Sequence, residues 1–228
     1  RDVFFALARD KNLKLRFSEA EASFLEQHPD YWNTTAIEAL RHEQYAQLDR
    51  QGHCYLDYTG AGLYAGTQIK EHMHMLLAQV FGNPHSSSPA SAPATRLLER
   101  ARGAVHEFFN ASTHEYIVVL TRNATGALKL VGESYPFDAA SRFLLTLDNH
   151  NSVNGIREFA RARGAAVTYS PLTLPDMRID GAGLSAQLGA PGETRHKLFA
   201  YPAQSNFSGV QHSLDWIEFA QARGWDVL

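Results

Sequence analysis

From residue 142 onward the chain alternates short apolar runs with polar or amphipathic stretches, and this alternation limits its possible folds more than any other feature. RFLLTL (142–147), AAVTYS (165–170), KLFAYPA (197–203) and the closing WDVL (225–228) are almost unbroken hydrophobic segments. Helical patterns fill 151–163 and 213–223, and a polar excursion occupies 171–196. Strands that lack polar alternation are covered on both faces, and strands separated by helices pair in parallel. The same rhythm extends upstream to strand YIVVLT (116–121) and a helix over 124–134. Two helices end alike, ARARG before AAV and QARG before WDV, with glycine as the C-cap. The expected fold is α/β, a mostly parallel sheet with flanking helices.

The N-terminal third is less regular. Residues 1–34 read as an arm, and Thr35 to Glu38 (TAIE) has the spacing of a capping box opening a helix to about Arg50. A β-type run, CYLDY (54–58), precedes a predicted helix over 66–81. The Ser- and Pro-rich loop GNPHSSSPASAP (82–93) follows, then a helix over 93–109 with Pro93 in its first turn. This divides the chain into an arm and helix, 1–50, and a major domain, 51–228. The start at Arg1 and the stop inside a strand lead us to expect part of a longer protein, truncated at the C-terminal side.

Charge and composition exclude several classes. A net charge of −3 gives no reason to expect nucleic acid or an anionic membrane as partner. No apolar stretch nears the roughly 18 to 20 residues that span a bilayer, and the apolar run Val3 to Leu7 is too short for a secretory signal. The single cysteine, Cys54, cannot form an intrachain disulfide and suits a reducing, cytoplasmic setting. His72 and His74, two apart on a helix, face different ways, and neither H-E-x-x-H nor C-x-x-C occurs, so no metal is expected.

Gly60, Gly62 and Ala65 match the G-x-G-x-x-A spacing of a dinucleotide fingerprint. Such a site needs an acidic residue ending a second strand about 20 residues on. Val80 to Asn83 stand there instead, at the end of a helix. A better anion site is TRNATG (121–126), where a strand meets a helix and backbone amides can converge on a phosphate. Plain N-capping by Asn123 or Thr121 is the alternative. RFLLTL ends in Asp148-Asn149-His150, and KLFAYPA ends in Gln204-Ser205-Asn206. Three strand-to-helix corners thus bring an anion cradle, an imidazole and a carboxamide to one crevice, which suits a flat phosphorylated cofactor.

YLDYTGAG, GNPHS, TRNATGALKL, HNSVNGIR and YPAQSNFSG together resemble the class V aminotransferase family of pyridoxal phosphate enzymes, nearest to the desulfurase domains of molybdenum-cofactor sulfurases. The resemblance covers about residues 35–228. It implies the large domain of fold-type I enzymes, pyridoxal 5'-phosphate as cofactor, L-cysteine as substrate and a homodimer in the complete protein. By position it implies that Ala124 and Thr125 bind the cofactor phosphate and that His150 lies over the ring as a catalytic group. Asn206 would bond near the ring oxygen, and His85 and Ser86 would form a substrate-side loop. Gly126 stands where glutamate is usual in desulfurases. The family's ring-pairing Asp, cofactor-linking Lys and sulfur-carrying Cys are expected beyond Leu228. Lys129 points along a helix leading away from the phosphate and Lys197 begins its strand at the opposite edge, so neither is expected to replace that lysine. Cys54 reads as a buried structural thiol. Epimerisation, transamination and a catalytically inert interaction module are the other readings open to such a chain.

Overall fold

The computed structural model describes residues 11–190 and 195–228, in two compact units, one ending at Ala101 and the other running from Arg102 to Leu228. The arm's first ten residues lie outside the described residues.

The first unit is helical: α1 (Lys11–Gln27), a 3-10 turn (Pro29–Thr34), α2 (Thr35–Gln44), α3 (Ala46–Gln51) and α4 (Gly66–Ala78). Helix α5 (Ser91–Phe108) carries the chain into the second unit. The helix predicted to run from Thr35 to Arg50 is two helices, parted at Tyr45. No capping box opens it, because Thr34 is the N-cap and its hydroxyl donates backwards to the Tyr31 carbonyl at 2.7 Å. CYLDY forms no strand. The Tyr55 hydroxyl folds onto the following turn instead, 2.6 Å from the Ala61 carbonyl, while Asp57 Oδ1 accepts from the Gly60 amide. Cys54 is therefore exposed, not buried, because no neighbouring strand covers it.

The second unit holds the parallel sheet. It is built from α6 (Ala124–Ser134), β1 (Arg142–Thr146), α7 (Asn151–Asn154), α8 (Ile156–Ala162), β2 (Ala166–Ser170), β3 (Leu172–Thr173), β4 (Arg178–Ile179), α9 (Gly181–Gly189), β5 (Lys197–Ala200), α10 (Asp215–Gln221) and β6 (Asp226–Val227). Four strands pair in the order β2-β1-β5-β6, all parallel. Alternate residues of each strand serve opposite faces. Phe143, Leu145, Leu198 and Ala200 pack with Ile156 and Ala160 on one side, whereas Leu144 and Phe199 pack with Leu184, Leu188 and Trp225 on the other. Burial on both faces is why these strands carry no polar alternation. Trp225, 2% exposed, fixes its indole by donating from Nε1 to the Leu188 carbonyl at 2.9 Å. The glycines predicted as C-caps, Gly164 and Gly224, adopt left-handed φ of 82° and 72°.

Three expectations fail in this unit, each for a tertiary or local reason. YIVVLT (116–121) forms no strand, and Ile117 stays 88% exposed. A β-prone run becomes a strand only where an edge supplies ladder partners, and it pairs with neither β2 nor β6. The helix predicted over 151–163 is interrupted at Gly155, the residue least costly to release from a helix. Within the polar excursion lie the β3–β4 hairpin and α9, a helix that glycine-rich GAGLSAQLG hardly announces. Asp180 Oδ1 caps α9 by accepting from the Ala182 and Gly183 amides, and Leu184 and Leu188, four apart, bury its inner side.

Candidate functional site

The β1–β2 connection runs through α8, on the face of Ile156 and Ala160, whereas the β5–β6 connection runs through α10, on the face of Ala220. Chain direction across the sheet therefore reverses between β1 and β5. In an open parallel sheet the crevice beyond the strand ends at such a point is the usual ligand site. An open cleft of about 420 Å³ lies there, lined by Leu147, His150, Asn154, Met177, Asn206 and Phe207 among others. His150 follows β1 and Asn206 follows β5, and the structure brings both into this cleft.

Each is held by its own corner. His150 is exposed, and its Nδ1 accepts the Ser152 amide at 3.2 Å, so in the neutral ring the proton sits on Nε2. Asn206 occupies the tip of a narrow loop. The Ser205 and His212 amides donate to the Val210 and Ala203 carbonyls, both at 2.9 Å, and close its neck. Inside, the buried Ser205 hydroxyl accepts from the Phe207 and Ser208 amides, at 3.3 Å each.

Ala124 and Thr125 begin α6 and are exposed. Asn123 caps the helix, with Oδ1 accepting from the Gly126 amide at 2.8 Å. The Ala124 and Thr125 amides donate to no protein group among the described residues. Capping by Asn123 and an open pair of amides thus coexist. A Cβ on Gly126 would meet only ordinary contacts, the nearest being Asn123 Oδ1 at 3.5 Å, so steric need does not explain this glycine. Thr125 lines a neighbouring hollow of about 420 Å³ with Lys129, Asn151 and Ser152, not the cleft of His150 and Asn206. Asn151 borders both, so the expected single pocket is two adjoining ones. The Thr125 and Ser152 hydroxyls, both on the wall of the hollow, meet at 2.8 Å.

His85 and Ser86 belong to the first unit and are exposed. His85 takes a left-handed φ of 71°, and its amide donates to Thr95 Oγ1 at 2.8 Å. The loop opens at Gly82, where a Cβ would come within 3.0 Å of Ser91 Oγ and 3.3 Å of backbone. Lys129 Nζ lies 3.4 Å from Glu133 Oε1, and Lys197 Nζ donates to the Arg223 carbonyl at 2.6 Å. Among the described residues no group of three or more His, Cys, Asp or Glu could hold a metal, and no helix is long and apolar enough to cross a membrane.

The sequence reading passed over the buried polar residues beneath the cleft. Asn149 Nδ2 donates to the Thr146 and Ala200 carbonyls, at 3.0 and 2.9 Å, and so ties the end of β1 to the end of β5. His212 Nε2 meets Asp148 Oδ2 at 2.8 Å. The only signal available was a polar pair directly following an apolar strand.

Residues 54–227 match the family described as Aminotransferase class-V. Curated relatives include the molybdenum cofactor sulfurases of Arabidopsis thaliana and Homo sapiens. The first is 36% identical over 90% of this chain and 28% of its own length. The second is 34% identical over 80% of this chain and 21% of its own length. The chain thus spans about a quarter of these relatives. Among solved structures, the apo cysteine desulfurase of Thermococcus onnurineus NA1 aligns with a TM-score of 0.70 at 22% identity, covering 83% of this chain and 46% of that one. A C-DES mutant with glycine covalently linked to its PLP cofactor aligns at 0.63 and 20% identity, covering 82% and 48%. These likenesses give the fold, the parallel sheet and flanking helices of fold-type I pyridoxal phosphate enzymes. The chain belongs to the class-V aminotransferase family.

Proposed function

We propose that this chain is the cofactor-binding part of a pyridoxal-phosphate-dependent enzyme of the cysteine desulfurase type, one that draws sulfur from L-cysteine for molybdenum cofactor. The observation that carries the reading is the meeting of His150 and Asn206 in one cleft at the reversal point of the sheet, beside two amides without protein acceptors. The names of the curated relatives favour sulfur transfer over other class V reactions. The family match begins at residue 54, which supports placing the start of the major domain near residue 51. A homodimer and a cytoplasmic setting complete the proposal.

The residues fit the cofactor's chemistry. A phosphate takes hydrogen bonds from backbone amides at a helix start, and Ala124 and Thr125 offer theirs at the head of the 11-residue α6. The exposed Asn206 carboxamide can donate to a ring oxygen. His150 presents a flat ring and a protonated Nε2 to the same space, so it can stack on an aromatic cofactor and hold or pass a proton at that nitrogen. The bound cofactor supplies an electron sink for bond changes at the amino acid. Leu147 and Phe207, 57% and 84% exposed at the rim, supply apolar surface that keeps water from a ring lodged between them. His85 and Ser86 are proposed as substrate-side residues.

The test is a titration of the chain with pyridoxal phosphate, followed by absorbance and with inorganic phosphate as competitor, beside an assay of alanine formation from L-cysteine by the whole protein, with an added thiol reductant to discharge the transferred sulfur as sulfide. His150→Ala and Asn206→Ala should weaken binding of the cofactor but not of phosphate. Epimerised cysteine or an amino-group exchange, with the sulfur still bound to carbon, would replace desulfuration by another class V reaction. A chain that binds neither probe would leave only an interaction module.

A further inference from the structure

We infer that Asp148 and His212 form a buried positioning pair that sets the placement of His150 relative to Asn206. The inference rests on the cofactor reading above. Asp148 stands two residues before His150 on the β1 corner, and His212 closes the loop that carries Asn206. Their side chains are 0% and 2% exposed, and His212 Nε2 lies 2.8 Å from Asp148 Oδ2. A carboxylate only accepts, so Nε2 donates. This bond is directional and crosses from one functional corner to the other.

The remaining contacts explain why such a tie is needed. The loop over 204–211 projects from β5 with an exposed tip and leaves the sheet after Ala200, so ladder bonding holds only its entry. Its exit is held by the His212 amide on Ala203, by the Tyr201 hydroxyl, which donates to the Ser213 carbonyl at 3.1 Å, and by the imidazole on Asp148, the one of the three that reaches the other corner. On the other corner, Asn154 Nδ2 donates to the Asn149 carbonyl at 3.1 Å, which locks the turn that displays His150. Asp148 Oδ1 has no hydrogen-bond partner among the described residues, although it is buried. An apolar pair would serve packing at least as well, because a half-satisfied buried carboxylate is costly to keep. What an apolar pair cannot supply is a fixed direction between two loops. Both residues are positioning residues; neither is assigned contact with substrate.

The test compares the intact chain with His212→Phe and with the double variant Asp148→Leu/His212→Phe, in which no buried charge is stranded. The first readout is amide hydrogen exchange without ligand. Exchange at Asn149 to Asn154 and at Ser205 to Val210 should quicken by about tenfold or more, while the amides of Leu144 and Phe199 keep their protection. Unchanged loops would overturn the inference, and so would loss of protection in β1 and β5, which would mark the pair as ordinary core. The second readout is the preference for pyridoxal phosphate over inorganic phosphate. It should fall by about tenfold in the double variant, with phosphate affinity unchanged. A preserved preference in a variant whose loops exchange faster would also overturn it. If the parent chain shows no such preference, the cofactor reading fails and the exchange measurement alone judges the pair.

Discussion

Thr125 Oγ1 lies 2.8 Å from Ser152 Oγ, so a single hydroxyl pair ties the first turn of α6 to the first turn of α7. Thr125→Val keeps the shape of the side chain and removes the bond. A loss of about 1 kcal/mol in urea unfolding is expected, the net worth of one such bond.

Tyr135 and Asp226 link the end of α6 to β6, with the phenol donating to Asp226 Oδ2 at 2.7 Å. Partial burial, and then the bond to the nearby carboxylate, push the phenol well above its ordinary value. A group whose folded value is raised contributes fully below its unfolded value, near pH 10, and loses that contribution as pH rises towards the folded one. Melting temperature should therefore fall more steeply above about pH 10 in the parent chain than in Tyr135→Phe. Equal slopes in the two proteins would contradict this.

Two glycine substitutions should act in opposite directions. Gly164 has φ of 82°, and a Cβ there would meet Ala139 at 3.4 Å, so Gly164→Ala is expected to cost about 1 to 2 kcal/mol. Gly103 lies inside α5 with nothing within 4 Å of its would-be Cβ. Gly103→Ala should stabilise by roughly 0.5 to 1 kcal/mol. Thermal denaturation of both variants checks the pair of signs.

Borohydride treatment after mixing with pyridoxal phosphate and desalting should leave Lys129 and Lys197 unmodified on peptide mapping. Lys129 is paired with Glu133, and Lys197 is spent on the Arg223 carbonyl beside the Trp225 ring. A retained adduct on either would place the cofactor-linking group within this chain.

The core of the second unit was legible because burial on both faces leaves a plain mark, and Phe143, Leu144 and Leu145 admit no other pattern. His150 and Asn206 were legible because each is the third residue after such a run. YIVVLT was misleading, since composition reports readiness to pair and not the presence of an edge. The helix at 181–189 was hidden by three glycines and alanines in its first turn and is held by Asp180 and two leucines. Asp148 and His212 stand 64 residues apart, and nothing local marks them as partners.

The three tryptophans are distributed so that each unit carries its own optical reporter. Trp225 is sealed against Leu188, with Trp216 half-buried on the same side of the sheet, whereas Trp32 in the first unit is 62% exposed. Emission on the blue side follows the sheet alone, and quenching by acrylamide acts first on Trp32. A denaturant series read at two wavelengths can therefore follow each unit without an added dye, and Trp32→Phe would leave a chain whose fluorescence reports only on the unit that carries the cleft.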